Sequence, residues 1–241
     1  MISKLVTLQF DYENRPLKEN LKRLTTLIES SPKNSIVLAP ELCLSGYKYD
    51  SLEKSAEFSK IATDELKKLS FEKIIGLTLI EKEGNNFYNN FTLLNQGKII
   101  HKRAKVKLFP LGDEPKYFTK GSEDEIGVFE IGGIKIASLI CFELRFTELW
   151  EKTKGADVIL VPSFWGKPRK KHLEILTKAL AVANQCFVIC SNSSDESMAK
   201  SSSIISPFGE AKMDDENSII VQEFDKNEIR KLRKYINIGL R

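Results

Sequence analysis

The chain has 241 residues, 41% of them hydrophobic and 29% charged, which excludes a disordered, collagenous or fibrous protein and fits a single domain over 1–241. Thirty-seven Lys and Arg against 33 Asp and Glu leave a charge of +4, with both signs interspersed along the chain, so the balance gives no electrostatic footprint for nucleic acid. Four cysteines are too few and too unevenly placed for a disulfide framework, two histidines leave little for a metal, and a chain this long buries roughly 70–75% of its unfolded surface without needing either.

The amino-terminal MISKLVTLQF has neither a charged n-region nor a long apolar run, and no stretch approaches the ~18 apolar residues of a membrane span. The expectation is a cytoplasmic protein with no membrane partner. In chain order, residues 4–10 read as a strand, and Leu17, Leu21, Leu24 and Ile28 mark an amphipathic helix with Asn14 as a cap candidate and Pro16 near its first turn. A buried strand over 35–39 stops at Pro40, and 51–69 reads as a second helix. Strands over 73–80, 87–94 and 98–104 are separated by Gly84-Asn85-Asn86 and Gln96-Gly97, as in antiparallel hairpins. Gly132-Gly133 separates strands over 127–131 and 134–140. A helix over about 143–154, a strand over 157–161, a helix over 170–184 and a strand over 186–191 follow, then a serine-rich loop over 191–203. Strands over 202–205 and 218–224 precede a basic tail over 226–241. Hairpins mixed with βαβ crossovers predict two sheets packed face to face with helices outside.

Three reactive side chains share one kind of place. Cys141 ends the apolar strand IKIASLI where a helical pattern begins, so a helix N-terminus would stabilise its thiolate and offer N–H groups to an oxyanion. The bland alternative is a small buried hydrophobe. Glu41 follows the strand SIVLA and Pro40; flanked by apolar residues it would be partly desolvated, which suits a base working near neutral pH, although most acids are surface residues. Lys105 ends the strand GKIIHKRA, where the other reading is a solvated basic edge. All three lie at the carboxyl ends of predicted strands, the rim where α/β folds carry their sites.

The strings APELCLSGY, FYNN, KRAKVKLFPLGDEPKYFTKG, ASLICFELRF, GADVILVPSFW, ANQCFVICSN and SSSIISPFGE stand in the order and spacing of the nitrilase superfamily of carbon–nitrogen hydrolases, which the chain resembles over nearly its whole length. The resemblance implies an α/β fold, a four-layer αββα sandwich of two mixed β-sheets with helices on both outer faces, in subunits that pair as a homodimer. It implies Glu41 as general base, Lys105 as oxyanion-stabilising lysine, Cys141 as nucleophile and Glu114 as a second acid bracing the lysine and substrate, with no metal and no organic cofactor. The substrate expected is a small linear amide, or an N-carbamoyl compound, cleaved through a thioester. Physical chemistry agrees: sulfur attack needs a base in reach, and Lys105 with the backbone N–H of Phe142 would hold the oxyanion. Tyr47, Tyr117, Phe164 and Trp165 are the expected pocket residues.

A papain-like pairing of Cys141 with His172 lacks that family's local signatures, so His172 reads as structural or pocket-lining. A non-catalytic binding protein on the same scaffold is the reading from another class, and the intact Glu41, Lys105 and Cys141 argue against it. Lys107 stands where many members have His, Leu180 where Arg is usual, Ala183 where Glu is usual and Thr147 where Pro often follows, which bears on substrate subgroup and interface. The basic run Lys167, Arg169, Lys170 and Lys171 reads as a solvated loop, with a substrate carboxylate as the alternative. Ile229, Leu232 and Ile236 give the tail a helical spacing that suits docking on a partner subunit, on its own core, or a surface helix.

Overall fold

A computed structural model describes residues 2–240; Met1 and Arg241, the last residue of the basic tail, lie outside it. The chain folds in the order β1 (Lys4–Leu8), α1 (Leu17–Ser30), β2 (Ser35–Leu38), α2 (Leu52–Leu69), β3 (Lys73–Glu83), β4 (Asn86–Asn95), β5 (Lys98–Ala104), α3 (Glu114–Tyr117), β6 (Phe129–Ile131), β7 (Ile134–Ser138), α4 (Thr147–Lys152), β8 (Val158–Pro162), α5 (Lys170–Asn184), β9 (Phe187–Ser191), β10 (Ser203–Ile205), β11 (Ala211–Met213), β12 (Ile219–Glu223) and α6 (Lys226–Tyr235).

The strands form two six-stranded mixed sheets, ordered β12-β1-β2-β3-β4-β5 and β11-β10-β9-β8-β7-β6. Each has a parallel centre, β1-β2-β3 in one and β7-β8-β9 in the other, flanked by antiparallel strands. The period of two along a strand sorts the side chains by layer. Leu5, Ile36, Leu38 and Ile74 face the second sheet, where they join Ile136, Leu160 and Ile189 in one core. Their neighbours Val6, Leu8, Val37, Ile75 and Leu77 face Leu21, Leu24 and Ile28 of α1 and Phe58, Ala62 and Leu66 of α2. On the far side Leu173, Leu180 and Ala181 of α5 cover the second sheet. This is the αββα sandwich that the sequence leads one to expect. The sheets are also stitched by hydroxyls: Thr7 Oγ1 donates to the Cys190 carbonyl at 2.7 Å and Ser191 Oγ to that of Leu8 at 2.6 Å.

Three local expectations are corrected. Asn14 does not cap α1; it sits at φ 62°, and Pro16 occupies the cap position in extended conformation without a side-chain bond. The helix expected over 143–154 is divided into a 3₁₀ segment, Cys141–Arg145, and α4, with Phe146 extended between them. At the start of the 3₁₀ segment the Glu143 carboxylate turns back to accept from the Ile140 N–H instead of facing solvent. The short edge strand β11, absent from the sequence reading, pairs antiparallel with β10. The tail helix α6 docks on its own core: Ile229 and Leu232 are buried, and Arg233 donates to the Ala156 carbonyl at 2.6 Å. Ile236, just beyond α6, is exposed.

Candidate active site

Three strand ends bring the site together. Glu41 follows β2 by three residues, and its backbone is pinned on several sides. Its N–H donates to the Ser163 carbonyl at 3.2 Å, its carbonyl accepts from the Tyr12 hydroxyl at 2.6 Å, and the next N–H, that of Leu42, donates to Thr78 Oγ1 at 2.7 Å. Lys105 follows β5, its N–H held by the Asn89 carbonyl and its own carbonyl by the Gly121 N–H, both at 2.9 Å. Cys141 follows β7 by three residues and turns sharply at φ 49°, a left-handed conformation that a side chain adopts at a cost and that is typical of functional positions.

Lys105 Nζ lies 2.8 Å from Glu41 Oε1 and 2.8 Å from Glu114 Oε1, with all three side chains essentially out of solvent. Tyr47 Oη is 3.3 Å from the same ammonium, and Asn89 Nδ2 donates to Glu41 Oε1 at 2.9 Å. Two buried carboxylates around one cation leave a net negative charge in an apolar interior, an arrangement costly to stability and therefore a mark of function. Burial alone would pull the Lys105 pKa down; Glu41 and Glu114 outweigh it and hold the ammonium above its ordinary value. Glu114 is raised by burial, against the pull of Lys105. Oε2 of Glu41, Oε2 of Glu114 and Oδ1 of Asn89 are buried without a hydrogen-bond partner. In a native interior such orphaned acceptors call for an explanation.

Burial pushes the Cys141 pKa well above the ordinary range, and repulsion from Glu41 adds to this against the opposing effect of Lys105. The helix N-terminus expected at Cys141 is corrected: a 3₁₀ segment starts there, not an α-helix. The Phe164 N–H approaches the sulfur at 3.5 Å. Among the described residues no group of three or more His, Cys, Asp and Glu has the arrangement of a metal site.

A small pocket opens on the thiol, lined by Phe109, Cys141, Phe142, Arg145, Phe164, Trp165 and Arg169. Arg145 packs over the Trp165 ring at 4.5 Å and Arg169 over Phe109 at 5.3 Å. Neither guanidinium has a carboxylate partner among the described residues; the side-chain hydrogen bond of Arg145 is to Nδ1 of His172, at 3.2 Å. Burial and then repulsion from Arg169 lower the Arg145 pKa. Two unpaired, mutually repelling cations at the mouth of a pocket make it receptive to an anion.

Of the expected pocket residues, Phe142, Phe164 and Trp165 line this cavity. Tyr47 lies beside the lysine instead, and Tyr117 stands apart, stacked on Tyr49 with ring centroids 4.0 Å apart. Lys107 is turned away on Glu123 at 2.6 Å. Sequence reasoning quoted Asn89 only as part of FYNN, and it left Arg145 and Glu143 without roles.

The carbon-nitrogen hydrolase family model matches residues 7–234. The chain belongs to the carbon-nitrogen hydrolase family. This hydrolase is 35% identical over 245 residues to a 2-oxoglutaramate amidase of Bacillus subtilis (strain 168), covering 96% of this chain and 94% of that protein. It is 29% identical to omega-amidase NIT2 of Xenopus tropicalis, over 92% and 89% of the two chains. Among solved structures it resembles Saccharomyces cerevisiae Nit3, a member of branch 10 of the nitrilase superfamily. That match has 26% identity, covers 98% and 94% of the two chains, and has a TM-score of 0.87.

Proposed function

We propose that this hydrolase cleaves the terminal amide of a short carboxylic acid, a compound of the 2-oxoglutaramate type, through a Cys141 thioester, releasing ammonia. The observation that carries the reading is the junction of two features. A thiol flanked by the buried Glu41, Lys105 and Glu114 opens into a pocket whose two guanidiniums lack partners. The first suits an amide and the second a carboxylate at the other end of the same small molecule, and the names of the amidase relatives point the same way.

In this reading Glu41 takes the Cys141 proton as the sulfur attacks the amide carbon. The oxyanion is held by the Lys105 ammonium and the Phe142 N–H, a preorganised pair worth far more in a dry site than in water. The unpartnered Oε2 of Glu114 accepts from the amide N–H, which supports its bracing role. Glu41 then hands its proton to the departing nitrogen, ammonia leaves, and a thioester remains. Water deprotonated by the same carboxylate attacks the thioester, frees the acid and restores the thiol.

The test is ammonia release from a panel of ω-amides with and without a distal carboxylate, run beside Cys141→Ala. Turnover of the carboxylated members, lost in the variant, is the expected result. No turnover of any member by the wild-type protein sinks the reading, and ammonia accompanied by carbon dioxide assigns an N-carbamoyl substrate instead. A homodimer belongs to the same reading, supported by the exposed Ile175 and Val182 on α5 beside Phe208, and light scattering decides it.

A further inference from the structure

The reacting groups reach the site from different sheets: Glu41 and Lys105 from the first, Cys141 from the second. Catalysis by sulfur attack and oxyanion capture demands that the ammonium and thiol hold one spacing, although no covalent element joins them locally.

The two motifs share an offset. Arg103 lies two residues before Lys105, and Glu143 lies two residues after Cys141. Beneath the reacting groups these outriders meet in a fork. Glu143 Oε1 accepts from Arg103 Nη1 at 3.1 Å, and Oε2 accepts from Nη2 at 2.6 Å. The same carboxylate holds both reactive segments by their backbones. Oε1 accepts the N–H of Val106, the neighbour of Lys105, and Oε2 that of Ile140, the neighbour of Cys141, each at 2.7 Å. Arg103 in turn donates from Nε to Ser138 Oγ at 3.1 Å and from Nη2 to the Ser138 carbonyl at 2.8 Å, on the last residue of β7. Both side chains are fully buried, 1% and 0% exposed.

We propose that Glu143, clamped by Arg103, is a positioning residue that sets the register between Lys105 and Cys141 across the seam of the two sheets. All four lone-pair directions of its carboxylate are used, one on each motif's backbone and two on the guanidinium, so the fork is filled and leaves no site for a ligand. Its charge is neutralised where it stands, which keeps a third carboxylate from adding to the negative potential around the thiol.

The kinetic arm of the test rests on the amidase reading; the alkylation arm does not. Glu143→Gln keeps the size and one acceptor but loses the second, while Ser138→Ala removes only the Oγ contact to Arg103 and perturbs folding little. In Glu143→Gln the expected result is a folded protein, by circular dichroism, with KM within about threefold and kcat down at least about 30-fold. Ser138→Ala is expected to lower kcat about threefold. Iodoacetamide labelling of Cys141 across pH is expected to move to higher pH in Glu143→Gln, because Lys105 no longer stands where it favours the thiolate. A wild-type protein without amidase activity but with this shift retires the substrate reading and keeps the positioning one. If kcat per folded molecule and the labelling profile both match wild type in the variants that fold, the proposal is overturned; should Glu143→Gln not fold, Ser138→Ala decides alone.

Discussion

Lys105 Nζ is shared equally between Glu41 and Glu114, 2.8 Å from one oxygen of each. Lys105→Met leaves the two carboxylates facing one another without a cation, and one of them takes up a proton to relieve the repulsion. The expected outcome is a folded protein whose turnover falls about 10²- to 10³-fold, the usual cost of removing one oxyanion donor. Thermal melting and steady-state ammonia release measure the two halves of this prediction. Near-normal turnover would transfer the oxyanion role elsewhere, with Lys107 the first residue to try.

Arg145 and Arg169 give a prediction of specificity. Replacing either by Met is expected to raise KM for a carboxylated ω-amide about 10- to 100-fold, in line with losing a charge-assisted contact, while a neutral amide of equal length is unaffected. Equal losses for both substrates would mean that the guanidiniums shape the pocket and do not read the anion.

The buried thiols govern alkaline stability. Burial pushes Cys43, Cys186 and Cys190 from an ordinary value near 9 up to about 12. Between those limits the unfolded chain loses thiol protons that the folded chain keeps, so the folded state binds more protons and stability must fall as pH rises. The contribution is intact below about pH 9 and is lost progressively toward about pH 12. Urea midpoints measured over that range should drop steeply in wild type and less steeply in Cys190→Ala. Parallel curves would show that other groups carry the alkaline transition.

Gly121 tests how tightly the lysine is seated. A Cβ there would lie 2.7 Å from the Ala104 carbonyl oxygen and 2.8 Å from the Ala104 Cβ, so backbone next to Lys105 has to move. Gly121→Ala is expected to cost about 1–3 kcal/mol of stability and to lower kcat about tenfold, read by denaturant titration and kinetics on the folded protein. Wild-type values in both would mean that the 119–122 segment swings aside without displacing the lysine.

The sequence was most legible where period and punctuation agree. The strand over 98–104 and the helix over 170–184 match β5 and α5 end to end, because Gln96-Gly97 and the apolar spacing of Leu173, Leu180 and Ala181 point to one answer. β11 escaped because three edge residues, two half-buried and one exposed, carry no readable alternation. Residues 143–154 carry helical spacing, yet the chain is extended at Phe146 between the 3₁₀ segment and α4, and the partners of Glu143, Val106 and Arg103, are distant in sequence. Likewise Glu41, Lys105 and Cys141 stood out at strand ends, whereas Asn89 lies inside β4 and resembles any polar strand residue until its amide is found on Glu41. The aromatic Tyr117 looked like a pocket wall in one dimension, and only its stacking on Tyr49 shows where the ring goes.

The placement of β1 between β2 and β12 has a temporal consequence. Lys4–Leu8 pairs in parallel with Ser35–Leu38, close by in the chain, whereas its other edge pairs with the distant Ile219–Glu223. Contacts that span most of the chain close slowly and last. The strand leading to Glu41 therefore sits beside an incomplete neighbour until Ile219–Glu223 has emerged from the ribosome, and a nascent chain stalled before that point would carry Glu41 and Cys141 already made but not yet locked in place.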